Sequence, residues 1–198
     1  MTPDIDSLRA YIHDNLPRRE AHILGCEQCA VEMALRFGAD AEKARIAALL
    51  HDITKYESTA QQLNLLEKYS IMANHDADDF PQILHAYTAA GVARYEYGLD
   101  DEICGAIYWH TVGHAGMTKL EKIIYLADMI EPTRSYPGVE ALREKAEYDL
   151  DGALLDAFAQ SMRFILDKRG LLHPSTAEAY NDLWHGIYDT EKNEKRRT

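Results

Sequence analysis

Cysteine is scarce in this chain. Only Cys26, Cys29 and Cys104 occur among 198 residues, an odd count that builds no full disulfide framework. A chain of this length can bury a sizeable core without such staples, so reduced thiols and a cytoplasmic location are expected. Long apolar runs are missing as well. None approaches the ~20 residues that a membrane span needs, so no membrane partner is expected. The opening stretch MTPDIDSLRAYIHDN has neither a basic start nor an apolar core, and no secretory leader is expected from it. Basic residues are outnumbered 21 to 33, for a net charge of −12. A field of that sign repels nucleic acid and anionic lipid. The twelve tyrosines lack the basic interleaving of a single-strand binding platform, so no nucleic-acid partner is expected. A phosphate-bearing ligand would need a local positive source, either a metal or a few placed cations.

What is present reads as helix. Apolar residues make up 46% and charged residues 27%, the balance of a globular chain. About ten helices and no strand are expected, in one all-α domain spanning 1–198, with its core over about 17–182 and a frayed charged tail at 191–198. Pro17 stands before a run that stops at Gly38, which fits Pro at the first helical position and Gly just past the end. Asp40, Ser58 and Asp100 are placed to cap the runs that follow them. Thr118 with Glu121, and Ser175 with Glu178, have the form of capping boxes. Pro81 opens QILHAYTAAGVARYEY, which stops at Gly98. Three stretches look irregular, 74–81, 111–117 and 132–138, and loops of this kind between rigid helices often carry binding residues.

Nine histidines are many for this length, and their placement carries the argument. In LLHDITK an apolar helical run ends in His51-Asp52, with Lys55 three positions on. Adjacent helical side chains point about 100° apart, but at a helix end one can reach across, and a divalent metal accepts imidazole and carboxylate together. The pair alone could equally be a helix-terminal His and Asp serving the dipole and a cap. Four further positions change that. His22, His85 and His110 each lie among apolar neighbours, and Asp128 lies inside KIIYLADMI, which otherwise reads as core. A buried carboxylate is costly unless paired or metal-bound. Lys55 lies about one turn past Asp52 and can reach the same pocket as a point charge on phosphate. Arg19 lies three residues before His22, on the same helix face. A solvated lysine and surface ion pairs are the plainer readings of these cations.

The order His…His-Asp…His…His…Asp is that of the HD-domain metal phosphohydrolases. The chain resembles one branch closely, the bacterial YqeK-type HD-domain proteins, which hydrolyse diadenosine tetraphosphate symmetrically. The resemblance runs from about residue 17 to 182 and rests on RREAHILG, AALLHDITKY, ILHAYTAAGVA, AIYWHTVGHAGMTKLEKIIYLADMIEPTRSYPGVEALR and LLHPSTAEAYNDLW. The fourth stretch is the most specific. The resemblance implies an all-α HD-domain helical bundle with a metal site in its core. It implies His22, His51, Asp52 and Asp128 as metal ligands. His85 and His110 match further histidines, which either hold a second metal or contact phosphate. The implied metal is iron, as a di-iron pair, although a nitrogen-rich set with carboxylates fits Fe, Mn or Zn alike. In a two-metal site Asp52 is the natural bridge. A metal-bound water would attack phosphorus, with Asp52 and Lys55 as the catalytic residues. Arg19, Lys55, Arg134 and Thr111 are the expected phosphate contacts, Arg134 because it matches a family arginine. His173, Thr176 and Tyr180 match a stretch that lines the nucleoside end, although a capped helix start and a packing tyrosine explain them equally. The implied substrate is a dinucleoside polyphosphate and the product ADP. The family includes dimers, so a homodimer is among the expected assemblies.

Other signals lead elsewhere. Cys26 and Cys29 have CxxC spacing inside a helix, without the second pair a structural zinc site needs, and are read as packing. Asp76, Asp78 and Asp79 lack calcium-loop spacing and are read as a solvated turn. His13, His75 and His185 are read as surface or packing residues, and His114 as a neighbour of the site. Two competing functions stand beside the first: another HD-type nucleotide phosphohydrolase, and a non-catalytic, metal-containing nucleotide-binding module. The Gly-Tyr-Pro segment that marks the cyclic-dinucleotide branch is absent from the sequence.

Overall fold

Short polar side chains and glycines divide the chain into helices. The structure, a computed structural model, describes residues 3–72 and 76–195, with side chains described to residue 189. His75 and residues 196–198 of the charged tail lie outside the described residues. In chain order the α-helices are α1 (Ile5–Asn15), α2 (Glu20–Phe37), α3 (Ala41–Leu50), α4 (Thr59–Lys68), α5 (Asp76–Asp79), α6 (Leu84–Tyr95), α7 (Asp101–Trp109), α8 (Lys119–Ile130), α9 (Val139–Ala146), α10 (Leu150–Asp167) and α11 (Pro174–Lys195). A single 3-10 turn, Pro81–Ile83, leads into α6. The described residues contain no strand and no helix long and apolar enough to cross a membrane.

Most helix starts are those the sequence indicates. The Asp40 carboxylate accepts from the amides of Glu42 and Lys43, and Asp100 accepts from that of Ile103. Ser58 with Gln61 and Thr118 with Glu121 form reciprocal capping boxes. Each such cap stabilises its helix by about 1 kcal/mol. Gly38 closes α2 at φ 69°, in the left-handed region that only glycine enters without cost.

Two starts differ. Pro17 is not the first residue of α2, which begins at Glu20. The Leu16 amide instead bonds back to Ile12 O, and the Arg19 amide to Leu16 O, so 16–19 form a turn that closes α1, anchored by the buried Leu16. Ser175 and Glu178 form no capping box. Pro174 takes the first helical position, where its fixed φ is already suited, and the imidazole of His173 accepts from the Ser175 amide through Nδ1 at 3.2 Å.

The core is built around α3. Its small residues Ala44, Ala47 and Ala48 are buried along with Leu49 and Leu50, and they admit α2, α7 and α8 close on several sides. Ile46 to Leu50 are buried in succession, so the last turns of the helix are apolar on every side. α8 is buried over Leu120 and Ile123–Ala127, between α2, α7 and α10. α6 buries ten successive residues, Leu84 to Ala93, against α4 and α7. The result brings the ends of α3, α7 and α8 and the starts of α2 and α6 to one region.

Candidate metal centre and adjoining cleft

His51 is the C-terminal cap residue of α3, still in helical conformation. Tight turns over 51–56 follow it. This helix end allows the adjacent His51 and Asp52 side chains to converge. α2 contributes His22, α6 contributes His85, the end of α7 contributes His110, and α8 contributes Asp128. All five partners of Asp52 expected from the sequence therefore meet at one place.

The site has two halves. In the first, His22 Nε2 lies 3.0 Å from Asp128 Oδ1, 3.4 Å from His51 Nε2 and 3.6 Å from Asp52 Oδ2. His51 Nε2 is 3.5 Å from the same Asp52 oxygen. In the second, His85 Nε2 lies 3.2 Å from Asp52 Oδ1 and 3.2 Å from His110 Nε2. The Asp52 carboxylate thus turns one oxygen to each half.

The outward-facing nitrogens follow one rule. Nδ1 of His51 meets Ala48 O at 2.6 Å, that of His110 meets Ile107 O at 2.6 Å, and that of His85 meets Gln82 O at 2.9 Å. Nδ1 of His22 meets Glu131 Oε1 at 3.0 Å. A carbonyl or carboxylate can only accept, so each Nδ1 carries the proton and each Nε2 presents a lone pair inward. Metal-ligating histidines are oriented by such outer partners. Burial reinforces the neutral state. It pushes His85 down to about 3, helped by the Lys55 charge, and His110 to about 3, helped by His85. It carries His51 well below its ordinary value. Burial would raise Asp128, but the groups set against it, His22 first and then His51 and Arg134, outweigh burial and hold the carboxylate well below the usual range.

The donor set fits a divalent metal. Metal–ligand bonds of about 2.0–2.2 Å place neighbouring donor atoms about 3 Å or a little more apart, as these are. Asp52 Oδ1 is buried without a hydrogen-bond partner, and such an acceptor is costly unless a cation or proton faces it. His22, His51 and Asp128, and separately His51, Asp52 and His110, are close enough to hold an ion.

Cations surround the carboxylates. The Arg19 guanidinium donates to Asp52 Oδ2. It does so from the turn before α2, where Arg19 is the N-cap residue, and not from a helix face shared with His22. Arg134 donates through Nη2 to Asp128 Oδ1 at 2.5 Å and through Nε to Asp128 O at 2.7 Å. Lys55 Nζ lies 3.0 Å from His85 Nε2 and 3.7 Å from Asp52 Oδ1, and burial lowers its pKa to about 8.

A cleft of about 440 Å³ opens from the second half. Lys55, His85, His110, Thr111 and Asp128 line its inner end, and Phe80, Met129, Phe164 and Leu171 supply an apolar wall. Thr111 Oγ1 is buried there without a partner. Thr176 also lines the cleft, but its hydroxyl is spent on Val112 O at 2.9 Å, tying α11 to the 111–117 loop. Tyr180 packs against the main core and does not line the cleft.

Several neighbours were not evident from the sequence as site residues. Glu131, fully buried, holds His22. Its signal was the glutamate directly after Ile130 in ADMIEP, three residues past the expected ligand Asp128. Cys26, read as packing, is buried and lies with Sγ 3.6 Å from His22 Nε2. Phe164 and Leu171 come from the end of α10 and the stretch before α11. Asp76 is not simply solvated: it accepts from Tyr87 Oη at 2.8 Å and lies 3.3 Å from His173 Nε2. His114 pairs with Glu121 at 3.1 Å, outside the cleft lining.

Comparison with known proteins identifies the family. The family model described as the HD domain matches residues 19–133, a stretch that contains every one of the six candidate ligands. The chain is 41% identical over 169 residues to the symmetrical bis(5'-nucleosyl)-tetraphosphatase of Bacillus subtilis (strain 168), covering 85% of this chain and 90% of that one. It is 39% identical to the protein of the same name from Halalkalibacterium halodurans, covering 83% and 88%. A crystal structure from Clostridium acetobutylicum, described as a predicted HD superfamily hydrolase involved in NAD metabolism, superposes with a TM-score of 0.87 at 36% identity, over 92% of this chain and 98% of that one. By its matched residues, its helical architecture and its relatives, this chain belongs to the HD-domain family.

Proposed function

We propose that this chain is a metal-dependent phosphohydrolase that cleaves diadenosine tetraphosphate symmetrically into two ADP. The observation that carries the reading is the shared anchoring of Nδ1 on an acceptor in four buried histidines, which leaves their Nε2 atoms converging on Asp52 and Asp128. The names and coverage of the relatives support the substrate class. His22, His51, Asp52 and Asp128 would hold one metal, and Asp52, His85 and His110 a second. We infer iron as the pair, on the family resemblance and on the nitrogen-rich set with carboxylates. When bound, such a pair supplies a water of lowered pKa and neutralises charge on phosphoryl oxygens.

The chain's own groups do the rest. The apolar wall of the cleft takes one nucleoside out of water and fixes its orientation. Lys55 and Thr111 at the inner end offer donors to the phosphates. Arg19 and Arg134 hold Asp52 and Asp128 in position and add positive charge beside a polyanionic ligand. Water attack at either central phosphorus breaks the central anhydride, and both fragments are ADP. A nucleoside diphosphate is a good leaving group, so no general acid is assigned.

The same reading takes 1–198 as one HD domain. The free cysteines support a reducing, cytoplasmic setting, and the net charge of −12 speaks against nucleic acid or anionic lipid as partner. The family resemblance supports a homodimer, which light scattering tests. For the activity, protein purified anaerobically and loaded with iron is given diadenosine tetraphosphate, and the nucleotides are resolved by chromatography. ADP alone is expected. AMP with ATP would overturn the central cleavage, and no product from metal-loaded protein would overturn the activity.

A further inference from the structure

Beneath the second half of the site lies a closed hydrogen-bond circuit with no evident chemical task. Thr54 sits between Asp52 and Lys55 on the turn after α3. Its hydroxyl reaches His85 O at 3.0 Å and lies 2.8 Å from Thr88 Oγ1. Gln62, on α4, donates through Nε2 to Thr54 O at 2.6 Å. That bond fixes the amide orientation, so Gln62 Oε1 faces Thr88 and accepts its hydroxyl proton. Thr54, Gln62 and Thr88 are 5%, 4% and 0% exposed. None of the three lines the cleft.

Three apolar side chains would fill this space with less desolvation cost. What a saturated polar circuit adds is a single geometry. Here the geometry concerns two backbone segments: the turn that carries Asp52 and Lys55, and the start of α6 that carries His85. The turn is irregular, with successive short backbone bonds from Ile53, Lys55 and Glu57 and no continuing helix to hold it. The first half of the site needs no such aid, because α2, α3 and α8 pack directly against one another.

We propose that Gln62, Thr54 and Thr88 are positioning residues that set His85 against the turn carrying Asp52 and Lys55, so that they tune the second half of the site more than the first. The proposal deepens the two-metal reading and rests on it for its metal readout.

The test uses two substitutions with opposite logic. Thr88→Val keeps the shape and removes the hydroxyl, while Thr88→Ser keeps the hydroxyl and removes a methyl. Two measurements are made on the full chain: equilibrium dialysis against Mn(II), and 15N imidazole spectra of the metal-free protein. In Thr88→Val, Mn(II) affinity at the weaker of two sites should fall about 10–100-fold, the usual effect of losing an outer-shell partner. The tighter site should change less than threefold. The His85 Nε2 resonance should shift or broaden, and that of His22 should not. Thr88→Ser should match the wild type in both measurements. If Thr88→Val does not fold, Gln62→Met, which leaves both hydroxyls in place, is read instead. Equal losses in Thr88→Val and Thr88→Ser, or losses shared by both sites, would overturn the proposal. Wild-type protein that binds no Mn(II) would instead sink the two-metal reading, and the imidazole spectra would still decide whether the circuit positions His85.

Discussion

Replacing Glu131 by Gln should weaken metal binding and stability together, and the hydrogen bonds around Glu131 say by how much. The carboxylate is fully buried. Oε1 accepts from His22 Nδ1 at 3.0 Å and from Thr133 Oγ1 at 2.6 Å, and Oε2 accepts from the Thr133 amide at 2.6 Å. Burial would raise its pKa, but these donors outweigh burial and lower it. An amide of the same shape has one oxygen for positions that both need acceptors. If its NH2 faces the Thr133 amide, two buried donors oppose each other, at a cost of about 1–3 kcal/mol. If its NH2 faces His22, the imidazole proton must move to Nε2, which removes the inward lone pair. The first outcome leaves His22 on a neutral, weaker acceptor and the second turns its lone pair away from the site, and the expected loss in Mn(II) affinity is about 10–100-fold. The apo protein should melt about 2–12 °C lower, taking 2–4 °C per kcal/mol for a chain of this size. Calorimetric titration with Mn(II) and melting in the presence of chelator measure the two effects separately. A lower melting temperature with metal affinity unchanged within threefold would refute the reasoning, since Glu131 would then only cap the 131–134 turn.

Gly25→Ala tests the same contact from the other side. A Cβ there would lie 2.6 Å from Glu131 Oε2 and 3.3 Å from Pro132 Cδ. On an open helix face Ala would stabilise by about 1 kcal/mol. Here overpacking of about 1–3 kcal/mol should cancel or reverse that gain, and a denaturation midpoint clearly above wild type would contradict it. Lys55→Ala should keep its metal, within threefold by dialysis. It should lower kcat/KM about 10–100-fold, the scale of one hydrogen bond to a charged group. An unchanged kcat/KM would return Lys55 to the status of a solvated helix-end residue.

Much of this site could be read from the sequence because its signals are local. The His51-Asp52 pair ends an apolar run, and Asp128 is a carboxylate set among core residues; each is anomalous within a few positions. Caps such as Asp40 and Thr118 act on amides two or three residues away, so their spacing suffices. The Ser175 box had the right spacing too, but Pro174 offered a better first position and the imidazole of His173 supplied the cap. Glu131 was not legible as a partner of His22 because 109 positions separate them, and nothing in α2 signals which carboxylate it will meet. The Thr54, Gln62 and Thr88 circuit is hidden for the same reason: three ordinary polar residues gain meaning only when α4 and α6 pack. The apolar wall of the cleft likewise joins Phe80 to Phe164 and Leu171 from distant segments.

The long reach of the His22–Glu131 contact has a mechanical side. The thiols of this chain are free, so no covalent bond ties α2 to the end of α8. The donor atoms of His22 and Asp128, brought to 3.0 Å, make that tie instead whenever one ion takes both. Closing a loop of about 100 residues removes on the order of 4–5 kcal/mol of unfolded-chain entropy in the simple polymer picture of a crosslink. The catalytic centre would then double as a reversible staple, and the resistance of the chain to unfolding and proteolysis would track the supply of metal.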